Sequence, residues 1–422
     1  MKKKNIALMM ATAVAASAAA MPVSASDFTA WVYDDINVVT LQAAVDEYKK
    51  DHPDFNCEIT KVNGEDLDLR VTTAEASGDY STLPDIMIFQ DSAFQKHLSS
   101  YPDIFYDLTD SGIDFSQFAS GKVANSVVDG RNYAVPFDNG IVISAYRTDF
   151  LEEAGYTIDD LTDITWDRFL EIARDVKEKT GLPMLSAKAG DPQIIYIMMG
   201  SLGLSFFDEE DNVHISDSED VKMATQLYID MVNEGLLLET PDWEQYYATF
   251  ANGTVVGTLN GCWITGNLTA AEDQTGNWGV TNIPKFDVEN GTNYSKNGGS
   301  SWVISGNCEN AEEAAAFLKD TFSGQYSEAV YTAALSQGGV ATYLPAAEYD
   351  IYKTPVEFFG GDTVYQKFMN FAESMPSAKT GAYYYNCITA LGVATSEVIQ
   401  NGADLDEALQ IAQETVEFDM EG

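Results

Sequence analysis

The chain has few of the residues that most often carry catalytic or metal chemistry. Its 422 residues include three histidines and four cysteines. The histidines show no HExxH or similar metal-ligand spacing, and the sequence contains no GxSxG, Walker A or GxGxxG motif. The cysteines are far apart and form no CxxC pair; they are Cys57, Cys262, Cys308 and Cys387. We therefore predict no metal and no cofactor, while the spacing leaves open whether the cysteines form disulfides or are buried thiols.

Basic residues are also scarce. The chain has 23 Lys and Arg against 66 Asp and Glu, a formal net charge of −43 and a sequence pI of about 4.1. Nucleic acids and anionic membranes reward basic surfaces, so we predict no nucleic-acid partner. The acidic residues are dispersed among hydrophobic ones, which is typical of a soluble folded protein rather than of a disordered acidic tail.

Long apolar runs are missing, apart from a short one at the N-terminus. Residues 1–25 have the pattern of a secretory signal peptide, with lysines at 2–4, an apolar segment at 6–20 and small residues at 23–25. A membrane anchor is the alternative, but the apolar segment is short for a span of about 20 residues. No cysteine lies near the cleavage point to accept a lipid. We predict an exported protein, periplasmic or extracellular, with no lipid anchor and a formal charge that changes from −43 to −46 on loss of the three leader lysines.

What is present is an alternation of strand and helix patterns. Strands are predicted at 28–33, 55–62 and 83–89, and amphipathic helices between them at 38–50 and 67–77. Such a βαβαβ order predicts a parallel sheet covered by helices. Further helices are predicted at 167–180, 192–204, 217–235, 310–321, 361–374, 379–400 and 404–418, and further strands at 254–259, 278–284 and 300–305. A chain of this length, 45% hydrophobic, can bury two cores rather than one.

The segment FANGTVVGTLNGCW, residues 250–263, combines these patterns. Asn252-Gly253 ends a helix, 254–259 is a strand, and Asn260-Gly261 is a turn that delivers Trp263. Ligands of open α/β sheets bind beyond the carboxyl ends of the strands, so Trp263 is placed to stack on a ligand. The alternative for this segment taken alone is that Trp263 is a core residue.

These segments, in this order and spacing, resemble the sugar-binding proteins of ABC importers, the maltose-binding-protein-like solute-binding family. The pieces that carry the resemblance are TAWVYDD (29–35), LPDIMIFQDSAF (83–94), DGRNYAVPFDNG (129–140), TWDRFLEIARDV (165–176), FANGTVVGTLNGCW (250–263), WGVTNIPKFD (278–287), GGSSWVIS (298–305), NAEEAAAFLKDTFS (310–323) and MPSAKTGAYYYNCITAL (375–391).

The resemblance implies an α/β, two-lobed periplasmic-binding-protein fold of type II-like topology. Its lobes are discontinuous and joined by hinge segments near 135–138, 282–285 and 325–330. Lobe one is expected to comprise 27–136 and 284–327, and lobe two 137–283 and 328–422.

The resemblance also implies where a sugar would be held. Sugars present hydroxyl groups and apolar C–H faces, so their sites combine planar aromatic rings with short polar groups. The positions implied are Tyr33, Asp35, Phe89, Gln90, Asp91, Asp138, Asp191, Gln193, Trp263 and Tyr384, and Trp302 is an added candidate. Phe89 and Tyr384 replace family tryptophans, and Gln193 replaces an aromatic residue, so maltose itself is not implied.

Each of these positions has a plainer structural interpretation. Phe89 and Trp302 are as compatible with core packing as with ligand contact. Asp91 is also a candidate helix N-cap. Trp31 is expected to be in the core, and Trp166 in the core or as a prop between the lobes.

By this resemblance the protein captures a sugar or oligosaccharide between its lobes and delivers it to the membrane subunits of an ABC permease, without chemistry and as a monomer. One alternative keeps the fold but binds a cation such as a polyamine or metal, held by aromatic rings and carboxylates. A remote alternative is a secreted glycosidase, which needs two carboxylates flanking the scissile bond.

Overall fold

The computed structural model describes residues 27–208, 212–376 and 381–421. The predicted leader, residues 1–25, lies outside these ranges. Within them, no helix combines the length and the apolar character that crossing a bilayer requires.

The described residues form twelve β-strands and sixteen α-helices, numbered in chain order. The strands are β1 (Asp27–Val32), β2 (Asn56–Lys61), β3 (Ile86–Gln90), β4 (Val127–Val128), β5 (Arg131–Asn132), β6 (Val135–Asp138), β7 (Val142–Arg147), β8 (Leu185–Lys188), β9 (Leu237–Thr240), β10 (Gly257–Gly261), β11 (Trp278–Thr281) and β12 (Ser300–Ile304). The helices are α1 (Asp35–Tyr48), α2 (Gly64–Ser77), α3 (Asp91–Ser100), α4 (Ser120–Ala124), α5 (Thr148–Ala154), α6 (Trp166–Thr180), α7 (Gln193–Ser201), α8 (Glu219–Asn233), α9 (Trp243–Ala251), α10 (Ile264–Thr269), α11 (Ala311–Phe322), α12 (Ser327–Leu335), α13 (Asp350–Lys353), α14 (Val364–Glu373), α15 (Tyr384–Asn401) and α16 (Leu405–Glu421).

Lobe one is built on a five-stranded sheet of order β2-β1-β3-β12-β6. β1 is parallel to both β2 and β3, and α1 and α2 connect the three strands, which confirms the predicted βαβαβ unit. β12 runs antiparallel to its neighbours β3 and β6. Its first residue therefore lies beside the last residues of those two strands, because the start of an antiparallel strand meets the ends of its partners.

Lobe two has a sheet of order β10-β7-β11, in which β7 is antiparallel to both neighbours, and a parallel pair of β8 with β9. The two sheets are connected by backbone hydrogen bonds from Val256 N to Pro183 O (3.0 Å) and from Gly257 N to Met184 O (2.9 Å). Lobe two thus has the strand pattern of lobe one. Its order β9-β8-β10-β7-β11 corresponds to β2-β1-β3-β12-β6, with the first two strands parallel and the fourth antiparallel to both of its neighbours.

Helix α6 shows how local sequence sets element boundaries. The Thr165 side chain accepts a hydrogen bond from Arg168 N (3.3 Å), and Gly181 ends the helix with φ 73°, as the sequence predicts. Its buried residues recur at helical spacing and include Trp166, Phe169 and Val176. Each such buried side chain stabilises the fold by about 1.5–3 kcal/mol. Trp166 is therefore a core residue of lobe two.

The packing of α12 changes the predicted end of lobe one. This helix packs against α1, although residues from 328 onward were predicted to lie in lobe two. The chain then stays on lobe one, since Ala341 pairs with Asp138 and Tyr343 with Phe118. We infer that lobe one extends to about Tyr343. We also infer that lobe one includes β6 up to Asp138, and that the chain stays on lobe two to about 297, since Trp166 N donates to Lys285 O and Ser295 Oγ to Ile197 O. The remaining boundaries stay predictions.

Two further predictions concern Trp31 and the state of the cysteines. Trp31 is half-buried beneath Arg70, whose guanidinium lies 4.9 Å from the ring centroid, so the expectation that it is a core residue is wrong. The reason is alternation: Phe28, Ala30 and Val32 point to the buried face of β1, and Trp31 points to the other.

All four cysteines are free thiols, and three of them are buried.

Candidate functional site

Polar side chains converge where the strands of lobe one end. Gln90 ends β3 and Asp91 follows it, Asp138 ends β6, and Ser300 begins β12. The register pairs Ser300 with both Gln90 and Asp138, so these residues share one edge of the sheet. The antiparallel course of β12 brings a residue far away in sequence to the edge formed by the β3 and β6 ends.

A buried ion pair organises this edge. The ammonium group of Lys122, on α4, bonds the Asp91 carboxylate, and Ser301 Oγ donates to Asp91 Oδ1 (2.9 Å). Lys122 is 9% exposed and Asp91 8%. Asp91 is the first residue of α3 rather than its N-cap, because Gln90 holds that position. A carboxylate buried in this way requires its cation, since an unpaired buried charge is costly.

Asp138 is held at the same edge of the sheet by hydrogen bonds from Ser300. Its Oδ1 accepts from Ser300 N (2.8 Å) and from the Ser300 hydroxyl. Burial raises the pKa of Asp138 and Asp91 adds to this, whereas Lys122 and Ser300 oppose it. Burial, and then Asp138, also raise the pKa of Tyr33 well above its usual value of 10. Tyr33, Asp91 and Asp138 thus belong to one electrostatic cluster.

Lys296 lies near this cluster and is half-buried. Burial lowers its pKa, Lys122 lowers it further, and Asp91 opposes them. Two lysines and two aspartates therefore share the centre of the site, which balances the charge of a very acidic chain at this place.

The structure places three predicted residues elsewhere. Phe89 is 2% exposed and its ring packs against Phe94, His97 and Phe105, so it has no free face for a sugar. Trp302 is fully buried between Phe137 and Phe322. Both corrections have one cause: β3 and β12 are central strands covered on both faces.

Asp35 is the third of these residues. Its side chain is 75% exposed and pairs with Lys61 (2.6 Å), outside the buried cluster. The neighbouring Asp34 caps α1 instead, through a capping box with Asn37.

Trp263 stands at the predicted position after β10, as the residue before α10. It is half-buried, and its Nε1 donates to Asn297 O (3.4 Å). The ring lies directly on Gly261, where any Cβ would collide with the indole nitrogen. Gly261, the last residue of β10, therefore permits this close approach of the ring.

A network of hydrogen bonds among buried amide and hydroxyl groups supports Asn297, the hydrogen-bond partner of Trp263. Asn297 Nδ2 donates to Asn260 Oδ1 (2.8 Å), and Asn260 Nδ2 donates to the hydroxyl of Tyr246 (2.7 Å). Tyr196 donates from its hydroxyl to Asn297 Oδ1 (3.0 Å). Satisfied networks of this kind stiffen the groups they connect.

The remaining predicted residues of lobe two lie at the start of α7 and of α15. Asp191 is half-buried, and burial raises its pKa against the effects of Lys188 and of the Gln193 N–H. Gln193 is buried at 9% exposure as the first residue of α7. The ring of Tyr384 meets that of Tyr196 edge-to-face at 6.5 Å.

Tyr385 connects the two lobes. Its hydroxyl donates to Gln90 Oε1 and accepts from Ser92 Oγ (3.0 Å), which are residues of lobe one. Burial raises the pKa of Tyr385 to about 12, with Asp68 and Asp91 contributing. The carboxylates of lobe one and the tyrosines of lobe two therefore face each other across one cleft.

Sequence reasoning did not find several of these residues. They are Lys122, Tyr196, Lys296, Asn297 and Tyr385. Tyr385 had a signal, because the AYYY run directs neighbouring tyrosines to different sides of a helix. Lys122 had none, since nothing in SGKVA indicates that its partner is Asp91.

A buried histidine supports the helix that carries Asp91 and Ser92. His97, on α3, is fully buried, with Nδ1 2.7 Å from Glu75 Oε1 and Nε2 2.7 Å from Asp68 Oδ1. Lys96 is also 3.6 Å from Asp68. Burial alone would lower the pKa of His97, but the hydrogen bonds with Asp68 and Glu75 raise it above the usual 6.5.

We expect His97 to make folding stability pH-dependent above pH 6.5. Since the folded-state pKa is raised, the contribution is complete below the unfolded value of 6.5 and is lost as pH rises through the folded pKa. Urea unfolding between about pH 5 and 9 should show this loss, at about 1.4 kcal/mol per unit of pKa difference. In His97→Gln the loss should disappear.

The matched control is His214→Gln. His214 also lies between two carboxylates, Asp208 and Asp217, but its side chain is 40% exposed, so solvent weakens the coupling. A His97→Gln protein that keeps the wild-type pH profile would contradict the assignment.

Comparison with known proteins agrees with this architecture. Residues 43–360 match the family model described as bacterial extracellular solute-binding protein. The chain is 35% identical over 416 residues to the lactose-binding protein of Rhizobium radiobacter, covering 98% of this chain and 97% of the relative.

Two solved structures show the same fold. One is the GacH receptor of Streptomyces glaucescens, with a TM-score of 0.77 and 19% identity over 92% of this chain and 96% of that one. The other is the ABC transporter associated binding protein of B. animalis subsp. lactis in complex with β-1,6-galactobiose, with a TM-score of 0.75 and 19% identity over 94% and 98% of the two chains. The resemblance read from the sequence motifs is confirmed, together with the two-lobed α/β fold. The chain belongs to the family of bacterial extracellular solute-binding proteins.

Proposed function

We propose that the protein is the exported, monomeric substrate-binding subunit of an ABC importer that captures a sugar or oligosaccharide between its lobes. The observation that carries this is the contact between the lobes at Tyr385, whose hydroxyl bonds Gln90 and Ser92 next to the buried Asp91. Trp263 and Tyr384 are the half-buried aromatic residues that lobe two supplies. Aromatic rings suit the apolar faces of a sugar, and tyrosine, amide and carboxylate groups suit its hydroxyls. The lactose-binding relative supports a carbohydrate ligand, which would be passed to a membrane permease.

Ligand binding would act on the balance between open and closed lobes. A ligand shifts such a balance only by binding one state better than the other. Here the difference comes from contacts supplied by both lobes at once, and the Tyr385 hydroxyl joins the lobes through Gln90 and Ser92. The closed state would then be the one that docks on the permease.

The carboxylates of the cleft favour binding over catalysis. A glycosidase places one protonated and one free carboxyl group on either side of the scissile bond. Asp91 is instead held by Lys122 and Ser301, and Asp138 by Ser300. We propose that these carboxylates orient the hydroxyl groups of the sugar and do not act as nucleophile, acid or base. The sugar would then leave the protein unchanged.

A thermal-shift screen of the chain from residue 26 onward would test this function. Lactose, β-1,6-galactobiose, maltose and arabinooligosaccharides are the probes, with spermidine, Ca²⁺ and Zn²⁺ as controls. One sugar class should raise Tm saturably, because a ligand at about 100 times its Kd stabilises by about 2.7 kcal/mol. A shift with spermidine or metal ions alone would replace the sugar by a cation, and release of monosaccharides would indicate a glycosidase.

We expect Tyr385→Phe to weaken sugar binding by roughly 5- to 30-fold, since two hydrogen bonds between the lobes are lost at about 0.5–1 kcal/mol each, the lower part of the usual range because Tyr385 is 39% exposed. The change should appear as faster dissociation in stopped-flow measurements, with association little affected. Tyr383→Phe, at the half-buried neighbouring position, is the control. Unchanged dissociation in Tyr385→Phe would show that this contact does not stabilise the closed state.

A further inference from the structure

The last two helices of the chain form an apolar groove on the surface of lobe two. α15 and α16 are antiparallel, since Asn386 Nδ2 at the start of one donates to Asp419 Oδ2 at the end of the other (2.8 Å). Another side of this pair packs against α8. The groove has a volume of about 610 Å³ and follows α15 from Tyr385 to Glu397, which is about 18 Å. It is long enough for about three turns of another helix.

The groove is apolar both at its floor and along its sides. The floor consists of buried alanines, namely Ala390, Ala394, Ala408 and Ala412. Val393 and Ile411 rise beside them and are 59% and 57% exposed. Side chains as short as alanine let a second helix approach closely, and the two larger residues would bury their surface against it. An exposed apolar surface with a polar rim is typical of an interaction site.

The rim of the groove is acidic. Glu397, Glu407 and Asp419 lie along it, and residues 384–421 contain eight Asp and Glu but no Lys, Arg or His. Lys222 of α8 pairs with Asp406, which does not line the groove. A second copy of this acidic chain and an anionic membrane would both be repelled. Charge complementarity therefore favours a helix with one apolar face and Lys or Arg beside it.

One end of the groove lies next to the contact between the lobes. Tyr385 lines the groove, and its hydroxyl bonds Gln90 and Ser92 of lobe one. A partner seated at this end would touch a side chain whose hydrogen bonds exist only while the lobes are together. Such a partner would bind the closed protein better than the open one, as a receiving permease requires.

We propose that the groove between α15 and α16 is the docking surface for a basic, apolar-faced helix of the importer's membrane subunits. Apolar residues at helical spacing would lie over the alanines, and Lys or Arg would pair with Glu397, Glu407 and Asp419. The source of this helix rests on the proposed function, whereas the chemistry of the groove does not.

Two synthetic helical peptides test that chemistry. Both carry the same Leu and Ala face over three turns, but one is flanked by lysines and the other by glutamates. By calorimetry, the chain from residue 26 onward should bind the lysine peptide at least about tenfold more tightly than the glutamate peptide. Val393→Lys and Ile411→Lys should abolish this preference, because they place a like charge on the apolar contact. Glu407→Gln should weaken the salt dependence of binding.

Uptake of the sugar identified by the thermal-shift screen tests the source of the helix. In cells that carry Val393→Lys or Ile411→Lys in place of the wild type, uptake should fall at least about tenfold, while the purified variants keep sugar affinity within about twofold. Val288→Lys is the matched control, since Val288 is an exposed valine of lobe two outside the groove lining. Thermal unfolding verifies each variant, and Val393→Ser, with a smaller loss expected, replaces one that does not fold.

Several results would overturn this inference while leaving sugar binding intact. They are equal binding of the two peptides, normal uptake in the Val393 and Ile411 variants, and a wild-type dimer that Val393→Lys dissociates in sedimentation. The last result would assign the groove to a second copy of the chain. A wild type that binds no sugar overturns the proposed function instead, and the peptide measurement still decides whether the groove accepts a basic helix.

Discussion

Trp263→Ala is expected to lower sugar affinity by about 10- to 100-fold, the largest loss from any single substitution in the cleft. Removing the ring deletes the stacking surface and its buried apolar contact, together about 1.5–3 kcal/mol. The ring is already held by Gly261 beneath it and by Asn297 at its nitrogen, so binding does not have to order it. Calorimetry with the sugar identified by the thermal-shift screen would measure the loss.

The control for this prediction is Trp166→Phe. Trp166 is 2% exposed in the core of lobe two, and its Nε1 finds no hydrogen-bond partner in the described part of the chain, so Phe loses no hydrogen bond there. Its stability should change while sugar affinity does not. Equal affinities of Trp263→Ala and the wild type would remove Trp263 from the site.

Lys122→Met is expected to reduce the free energy of unfolding by about 3 kcal/mol, because it leaves Asp91 without its cation in a buried position. Asp138, whose raised pKa Lys122 opposes, should be protonated more easily as well. Lys296 also lies near Asp91 and offsets part of the lost charge, which sets the expectation at the lower end of the range for buried pairs. Urea unfolding at neutral pH would measure the change.

Two further variants test whether the loss of stability comes from the buried pair of Lys122 and Asp91. Lys61→Met breaks the exposed pair with Asp35 and should cost less than about 1 kcal/mol. Adding Asp91→Asn to Lys122→Met should restore part of the stability, because the buried charge is then gone. If Lys122→Met were no more destabilised than Lys61→Met, the buried pair would not organise the site.

Some features follow from residues that are neighbours in the chain. Helix α6 was predicted within one residue, since Thr165 and Gly181 act on their own helix. Trp263 follows a strand, as predicted, but the predicted turn at Asn260-Gly261 is wrong: both residues belong to β10, and the chain turns at Cys262 and Trp263. The predicted strand itself is displaced by a few residues: β10 begins at Gly257, where pairing with Tyr146 begins.

Other features depend on partners that are distant in sequence. Phe89 and Gln90 are adjacent, yet one is in the core and the other at the cleft. Every residue of β3 from Ile86 to Phe89 is buried, because helices cover both faces of the sheet, so alternation cannot separate ligand-facing from core-facing residues. For the same reason, the sequence pattern could not distinguish core packing from ligand contact for Trp302.

By itself, the sequence determined the acidic charge, the alternating elements and the family, because composition, caps and turns act locally and motif order is a property of the chain. Only the tertiary structure decided which residues share the cleft. The antiparallel course of β12 puts Ser300 beside Asp138, α4 brings Lys122 to Asp91, and α15 brings Tyr385 to Gln90. Charge pairing and packing act through space, and the spatial neighbours of a residue exist only once both lobes have folded.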